Sequence, residues 1–158
     1  VLARRPELVE NGRKAASDLG YVLTRRYSFA GGGSPTLVEF TAMMNAQTPI
    51  GVVSEFLPLF GELDLRSALP VLARVPTLVM SAEKDLLTPV EHGRELAEAL
   101  PHVDYVEAAD SGHMILLERH ELVTARLRDL VDRVRRGAPE PRKRRTKITS
   151  IRRRARPG

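Results

Sequence analysis

The sequence predicts an α/β fold. A small parallel sheet covered on both faces is preceded by helical segments and followed by a disordered basic tail. Three observations carry this. Two short apolar runs without alternation, Thr77 to Ala82 and Asp104 to Ala108, read as strands buried on both sides. One helix's worth of sequence separates them, which implies a parallel, right-handed crossover. Upstream of Thr77 the apolar residues recur at helical spacing, and beyond Arg135 the pattern collapses into Gly, Pro and Arg.

In chain order, Pro6 to Leu19 has helical spacing through Leu8, Val9, Ala15, Ala16 and Leu19, with Gly20 as a stop. Tyr21 to Phe29 is open between helix and irregular chain. Gly31 to Pro35 is a loop in which Ser34 caps the next helix and Pro35 opens it. That helix presents Leu37, Val38, Thr41 and Met44. Thr48-Pro49 repeats the start signal for a helix through Val52, Val53, Phe56, Leu57 and Phe60, which Pro58 should bend or end. A short helix from Leu65 to Ala73 leads into the first strand. Thr88-Pro89-Val90-Glu91 reads as a capping box for a helix ending at Pro101, with Leu96 and Leu100 inward. A last helix, Arg119 to Val134, carries Val123, Leu127, Leu130, Val131 and Val134. These elements divide the chain into a helical segment over 1–74, an α/β segment over 75–135 and a tail over 136–158.

Composition narrows the function classes. The chain has 158 residues, 42% of them apolar and 28% charged, as in an ordinary globular protein. Cysteine is absent, which removes disulfides and thiolate metal sites and suits the cytoplasm. No apolar run reaches the roughly 20 residues that span a bilayer, and the N-terminus has no signal-peptide pattern. The net charge of +5 splits into −5 over residues 1–134 and +10 over 135–158. Such a tail can bind nucleic acid or an anionic surface. It has no aromatic residue for base stacking, and Arg outnumbers Lys 21 to 4 along the whole chain. An unselected extension is therefore the favoured reading, and nucleic acid is not the expected partner.

The chemistry concentrates at Asp85 and His113. Each follows a predicted strand, and Gly112 precedes the histidine. A hydroxyl is a poor nucleophile at neutral pH, so an imidazole must take its proton during attack. A free imidazole, titrating near ~6.5, suits that task. A carboxylate on its other nitrogen fixes tautomer and orientation. Both groups belong on loops at the carboxyl ends of adjacent parallel strands, where such sheets bind ligands.

The segment over 75–134 resembles the α/β-hydrolase fold family. Its acid loop commonly reads G-x-x-D-x-x-x-P, and here Ala82-Glu83-Lys84-Asp85-Leu86-Leu87-Thr88-Pro89 departs at the first position. Its histidine loop commonly reads G-H, apolar residues, then E-x-P-E. Here Gly112-His113-Met114-Ile115-Leu116-Leu117-Glu118-Arg119-His120-Glu121 has His120 where Pro is usual. The resemblance implies that Asp85 and His113 are the last two members of a catalytic triad, that residues 1–74 are lid helices, and that no metal or organic cofactor is needed. It also implies a small, partly apolar substrate, with Met43, Met44, Phe56 and Phe60 as candidate pocket residues. Esterases, lipases, peptidases and carbon–carbon hydrolases share this acid and histidine, as do dehalogenases and epoxide hydrolases with an Asp nucleophile.

The nucleophile elbow G-x-S-x-G is absent. Gly32-Gly33-Ser34-Pro35 is the nearest stretch, and no strand precedes it. With a first residue other than Met, this sets the expectation of a fragment, inactive alone. The alternatives are a non-catalytic truncated homologue and a nucleic-acid module acting through the tail. Plainer readings exist for each residue: Asp85 as a turn cap, His113 as a loop histidine, and the four apolar residues as ordinary helix core. Glu118 reads as a structural partner of the histidine loop. Two strands are few for a stable sheet, so an aggregation-prone edge is expected.

Overall fold

A computed structural model describes residues 6–30, 33–137 and 144–148, with side-chain environments for all of these except 6–15, 50, 144 and 145. The chain divides into two compact units, Val1–Leu63 and Asp64–Gly158. The first holds three helices: α1 (Pro6–Ser28), α2 (Pro35–Ala46) and α3 (Ile50–Glu62). Gly20 does not stop α1, which runs on to Ser28. A mid-helix Gly costs only about 1 kcal/mol against Ala, and the residues after it are adequate helix formers. Ser34 sits at the N-cap of α2 without a side-chain capping bond, while Pro35 occupies the first turn as expected. Pro58 lies inside α3 without ending it. Residues 51–62 of α3 are exposed throughout, so water can satisfy the carbonyl that a proline leaves unbonded.

The second unit opens with a 3-10 turn (Arg66–Ala68) and α4 (Leu69–Leu72), then β1 (Thr77–Ala82), α5 (Val90–Ala99), β2 (Val103–Ala108), α6 (Ile115–Glu118), α7 (His120–Arg135) and β3 (Arg144–Ile148). The sequence set the boundary after residue 74, whereas the turn and α4 group with the sheet. The reason is packing: Leu69 and Ala73 join the cluster of Ala97, Leu100, Val103 and Tyr105.

β1 and β2 are parallel, with Thr77 opposite Val103 and Ala82 opposite Ala108. Strand alternation then sorts the side chains. Val79, Val103 and Tyr105 face Ala97 and Leu100 of α5. Leu78, Met80, Val106 and Ala108 face Leu122 of α7, with Ile115 and Ile148. β2 is buried at every position and β1 only partly. Two charged pairs reinforce the layers. Arg94 of α5 grips the buried Glu107 of β2 through two bonds of 2.9 and 3.0 Å. Arg133 of α7 reaches the buried Asp104 at 3.3 Å.

The helix faces differ in detail from the periodicity. Leu100 is buried but Leu96 is 41% exposed, and Gly93 and Ala97 meet the sheet instead. On α7, Leu122 and Val123 are buried, while Leu127, Val131 and Val134 are exposed. The last turn of this helix meets β2 through Arg133 and Asp104 instead of through its apolar residues.

The tail departs from expectation over five residues. Arg144–Ile148, read from sequence as disordered, form β3 beside β2, parallel, with Ala108 opposite Ile148. Two effects favour pairing. The outer edge of β2 offers unbonded backbone groups that need partners, and Ile148 adds an apolar side chain to the α7 face. The rest of the predicted tail, at 138–143 and 149–158, lies outside the described residues. The sheet order is β1-β2-β3, so among the described strands β1 has one unpaired edge.

Candidate active site

The site is made by two loops at the carboxyl ends of β1 and β2. Ser111, fully buried, donates its hydroxyl to the Ala108 carbonyl at 3.1 Å, closing a tight turn off β2. Within that turn Asp110 takes φ 53°, a left-handed conformation that Asp tolerates better than most residues. Arg119 braces the turn by donating to the carbonyls of Ala109 and Asp110, both at 3.0 Å. Glu118 accepts the Gly112 amide at 2.6 Å, which fixes the residue preceding the histidine. The expectation that Glu118 supports this loop therefore holds.

The acid loop is laced to the histidine loop through backbone. Glu83 N–H donates to the Ala108 carbonyl at 3.0 Å, and Lys84 N–H donates to the Ser111 carbonyl at 2.9 Å. Lys84 and Asp110 add an exposed ion pair at 2.7 Å, worth little by itself. Glu83 also accepts a bond from Lys147 of β3. The two loops thus form one bonded unit.

Asp85 and His113 converge on this frame. The histidine Nδ1 lies 3.0 Å from Asp85 Oδ2. The Asp85 side chain is only 8% exposed and that of His113 is 37% exposed, so the ring is held from behind and open in front. The remaining bonds divide between the carboxylate oxygens. Oδ1 accepts the amides of Leu87 and Thr88 at 2.9 and 2.8 Å. Oδ2 accepts the Thr88 hydroxyl at 2.8 Å as well as the ring. Asp85 is therefore both the turn cap of the plain reading and the partner of His113: Oδ1 serves the turn, and Oδ2 is shared between the Thr88 hydroxyl and the ring. Burial pushes its carboxyl up, but the bonds from the Thr88 amide and hydroxyl, His113 and the Leu87 amide outweigh burial and hold it below the ordinary carboxylate value.

These contacts fix the tautomer. The Thr88 hydroxyl proton is engaged with Asp85, so the Thr88 oxygen, 3.3 Å from Nδ1, can only accept there. The carboxylate also only accepts. Nδ1 must carry the hydrogen, which leaves the Nε2 lone pair available.

Sequence reasoning placed Thr88 in a capping box. In the structure Pro89 is the N-cap of α5, no side-chain capping bond forms, and the Thr88 hydroxyl turns to Asp85. The spacing Asp-x-x-Thr was a usable signal, since an Asx-type turn brings those two side chains together. Met43, Met44, Phe56 and Phe60 are all on the helical unit and 51 to 69% exposed, so they are not ordinary core. Three helices cannot enclose that much apolar surface. Of the four, Met43 alone lines a groove of about 740 Å³ between α1 and α2, beside Tyr21 and Glu39. Among the described residues, no cluster of three or more His, Cys, Asp or Glu could hold a metal, and no helix is long and apolar enough to cross a membrane.

The profile of the α/β-hydrolase fold family matches residues 10–120, a span that includes both loops. The chain belongs to the α/β-hydrolase fold family. Relatives of this hydrolase-fold chain include "Putative non-heme bromoperoxidase BpoC" of Mycobacterium tuberculosis, in strains CDC 1551 / Oshkosh and ATCC 25618 / H37Rv. Each is 44% identical over 48 residues, 30% of this chain and 18% of the relative. The alignment thus spans under a fifth of the length of these relatives. No solved structure matches the chain.

Proposed function

We propose that Asp85 and His113 are the acid and the general base of a nucleophile–acid–histidine triad that hydrolyses ester or related bonds in a small, partly apolar molecule. The observation that carries this is the 3.0 Å contact from Nδ1 to Asp85 Oδ2, made between loops that follow adjacent parallel strands. In this reading Nε2 takes the proton of the attacking group, Asp85 stabilises the imidazolium, and His113 then returns the proton to the leaving group. No metal or organic cofactor is required for these steps. The exposed Met43, Met44, Phe56 and Phe60 are apolar surface on the helical unit, available to a partly apolar molecule.

The sequence contains no G-x-S-x-G elbow. The nucleophile and the oxyanion donors are therefore assigned to protein outside these 158 residues, and the chain is proposed to be part of a longer enzyme and inactive alone. Absence of cysteine from the sequence, and of a bilayer-spanning helix among the described residues, suits a cytoplasmic location. The test is hydrolysis of p-nitrophenyl esters by the 158-residue chain and by the same chain joined to the segment encoded upstream. The expected result is turnover by the joined protein alone, reduced about 10⁶-fold by His113→Ala. An undiminished rate in that variant would overturn the assignment. Ester turnover by the shorter chain, lost in His113→Ala, would remove the need for an outside nucleophile.

A further inference from the structure

Thr88 makes two contacts to the acid–histidine pair that a helix cap has no reason to make. Its hydroxyl donates to Asp85 Oδ2 at 2.8 Å, the same oxygen that receives the His113 ring at 3.0 Å. Its oxygen lies 3.3 Å from Nδ1. We propose that Thr88 is a positioning residue that competes with His113 for Asp85 Oδ2 and so moderates how tightly the carboxylate holds the ring. The inference rests on the reading of Asp85 and His113 as a working pair.

The two contacts pull in opposite directions, and distance decides between them. The bond to Asp85 is short and has a charged acceptor, the stronger class of hydrogen bond. The contact to Nδ1 is near the limit of a hydrogen bond. The dominant effect of the hydroxyl is to share the Oδ2 lone pairs, weakening that oxygen as an acceptor for the ring. The remaining charged groups on these loops are engaged elsewhere: Lys84 with Asp110, Glu83 with Lys147, Glu118 with the Gly112 amide, and Arg119 with two carbonyls. The competition at Oδ2 is thus between Thr88 and His113.

A simple supporting role predicts the opposite outcome. If Thr88 only propped the loop, removing its hydroxyl would loosen the pair. If it competes, removal tightens the pair. Thr88 is exposed, so its substitution disturbs little packing. The experiment is proton and nitrogen NMR of the full chain with labelled histidine, His113 being assigned by loss of its signals in His113→Gln. The ring Nδ1–H resonance moves downfield as its hydrogen bond strengthens. Thr88→Val and Thr88→Ala are expected to shift it downfield from wild type, and Thr88→Ser to leave it in place. An upfield shift, no shift, or loss by faster solvent exchange in the Val and Ala variants overturns the proposal. Where exchange hides the proton in wild type too, the ring Nδ1 nitrogen gives the second readout. Its signal is expected to move downfield in the Val and Ala variants and not in the Ser variant, and an unmoved or upfield signal overturns the proposal equally. Asp85→Asn separates the two readings. If it leaves the ring Nδ1 environment as in wild type, the acid–histidine pair itself fails.

Discussion

Gly93 gives the sharpest test of how the sheet positions the acid loop. It lies on the buried face of α5, the helix that follows the loop. A Cβ added there would sit 1.8 Å from Ser81 Oγ, 3.0 Å from Ser81 Cβ and 3.3 Å from Cε2 of Tyr105. Two effects then compete in Gly93→Ala. Helix propensity favours Ala by about 1 kcal/mol. Against it, Ser81 must leave its rotamer, and the Cβ–Cβ approach remains about 0.5–1 Å inside the carbon–carbon optimum. Tyr105 is 1% exposed and has no free space to retreat into. Overpacking of a tight interior costs about 1–3 kcal/mol, so the net expectation is a loss of about 1 kcal/mol, with α5 pushed outward. Urea denaturation followed by circular dichroism measures the loss. Ser81→Gly removes both serine atoms from the clash, so the double variant should recover the helix-propensity gain relative to Ser81→Gly alone. A Gly93→Ala chain more stable than wild type would refute the argument, because propensity would then outweigh packing.

Three further outcomes are expected. Arg133→Leu leaves the buried Asp104 without its ion-pair partner and should cost about 3 kcal/mol, most of it recovered when Asp104→Val is added; denaturant midpoints of the three variants check this. Asp85 has a depressed carboxyl, so its contribution to stability is complete above the unfolded value of about 3.9 and is lost as pH falls through the lower folded value. In that acid window the stability of Asp85→Asn should fall less steeply than wild type, as read from urea midpoints at stepped pH. Truncation after Gly137 removes the Arg- and Lys-rich β3 and leaves the buried strand β2 as the edge of the sheet in its place, so light scattering should show association at concentrations where the full chain stays dispersed.

The site was legible in the sequence because its signal is local. An acid and a histidine, each just past an apolar run and separated by one helix, suffice to place both at the carboxyl end of a parallel sheet. The bracing around them was less legible. Glu118 was found from its position after the histidine loop, but the hydroxyl of Thr88 was given to the helix end. That choice depends on which acceptor lies closer once the loop has closed, and spacing does not report it.

The identity of β1 and β2, their parallel pairing and the approach of Asp85 to His113 follow from the order of apolar runs and turn residues along the chain. Which face of each helix is covered, the pairing of Arg144–Ile148 with β2 and the sharing of Asp85 Oδ2 between Thr88 and the His113 ring were decided by tertiary structure. The physical reason is that periodicity marks which side chains avoid water. The packing of the neighbouring element and the backbone groups left open at a sheet edge determine which of them find a partner.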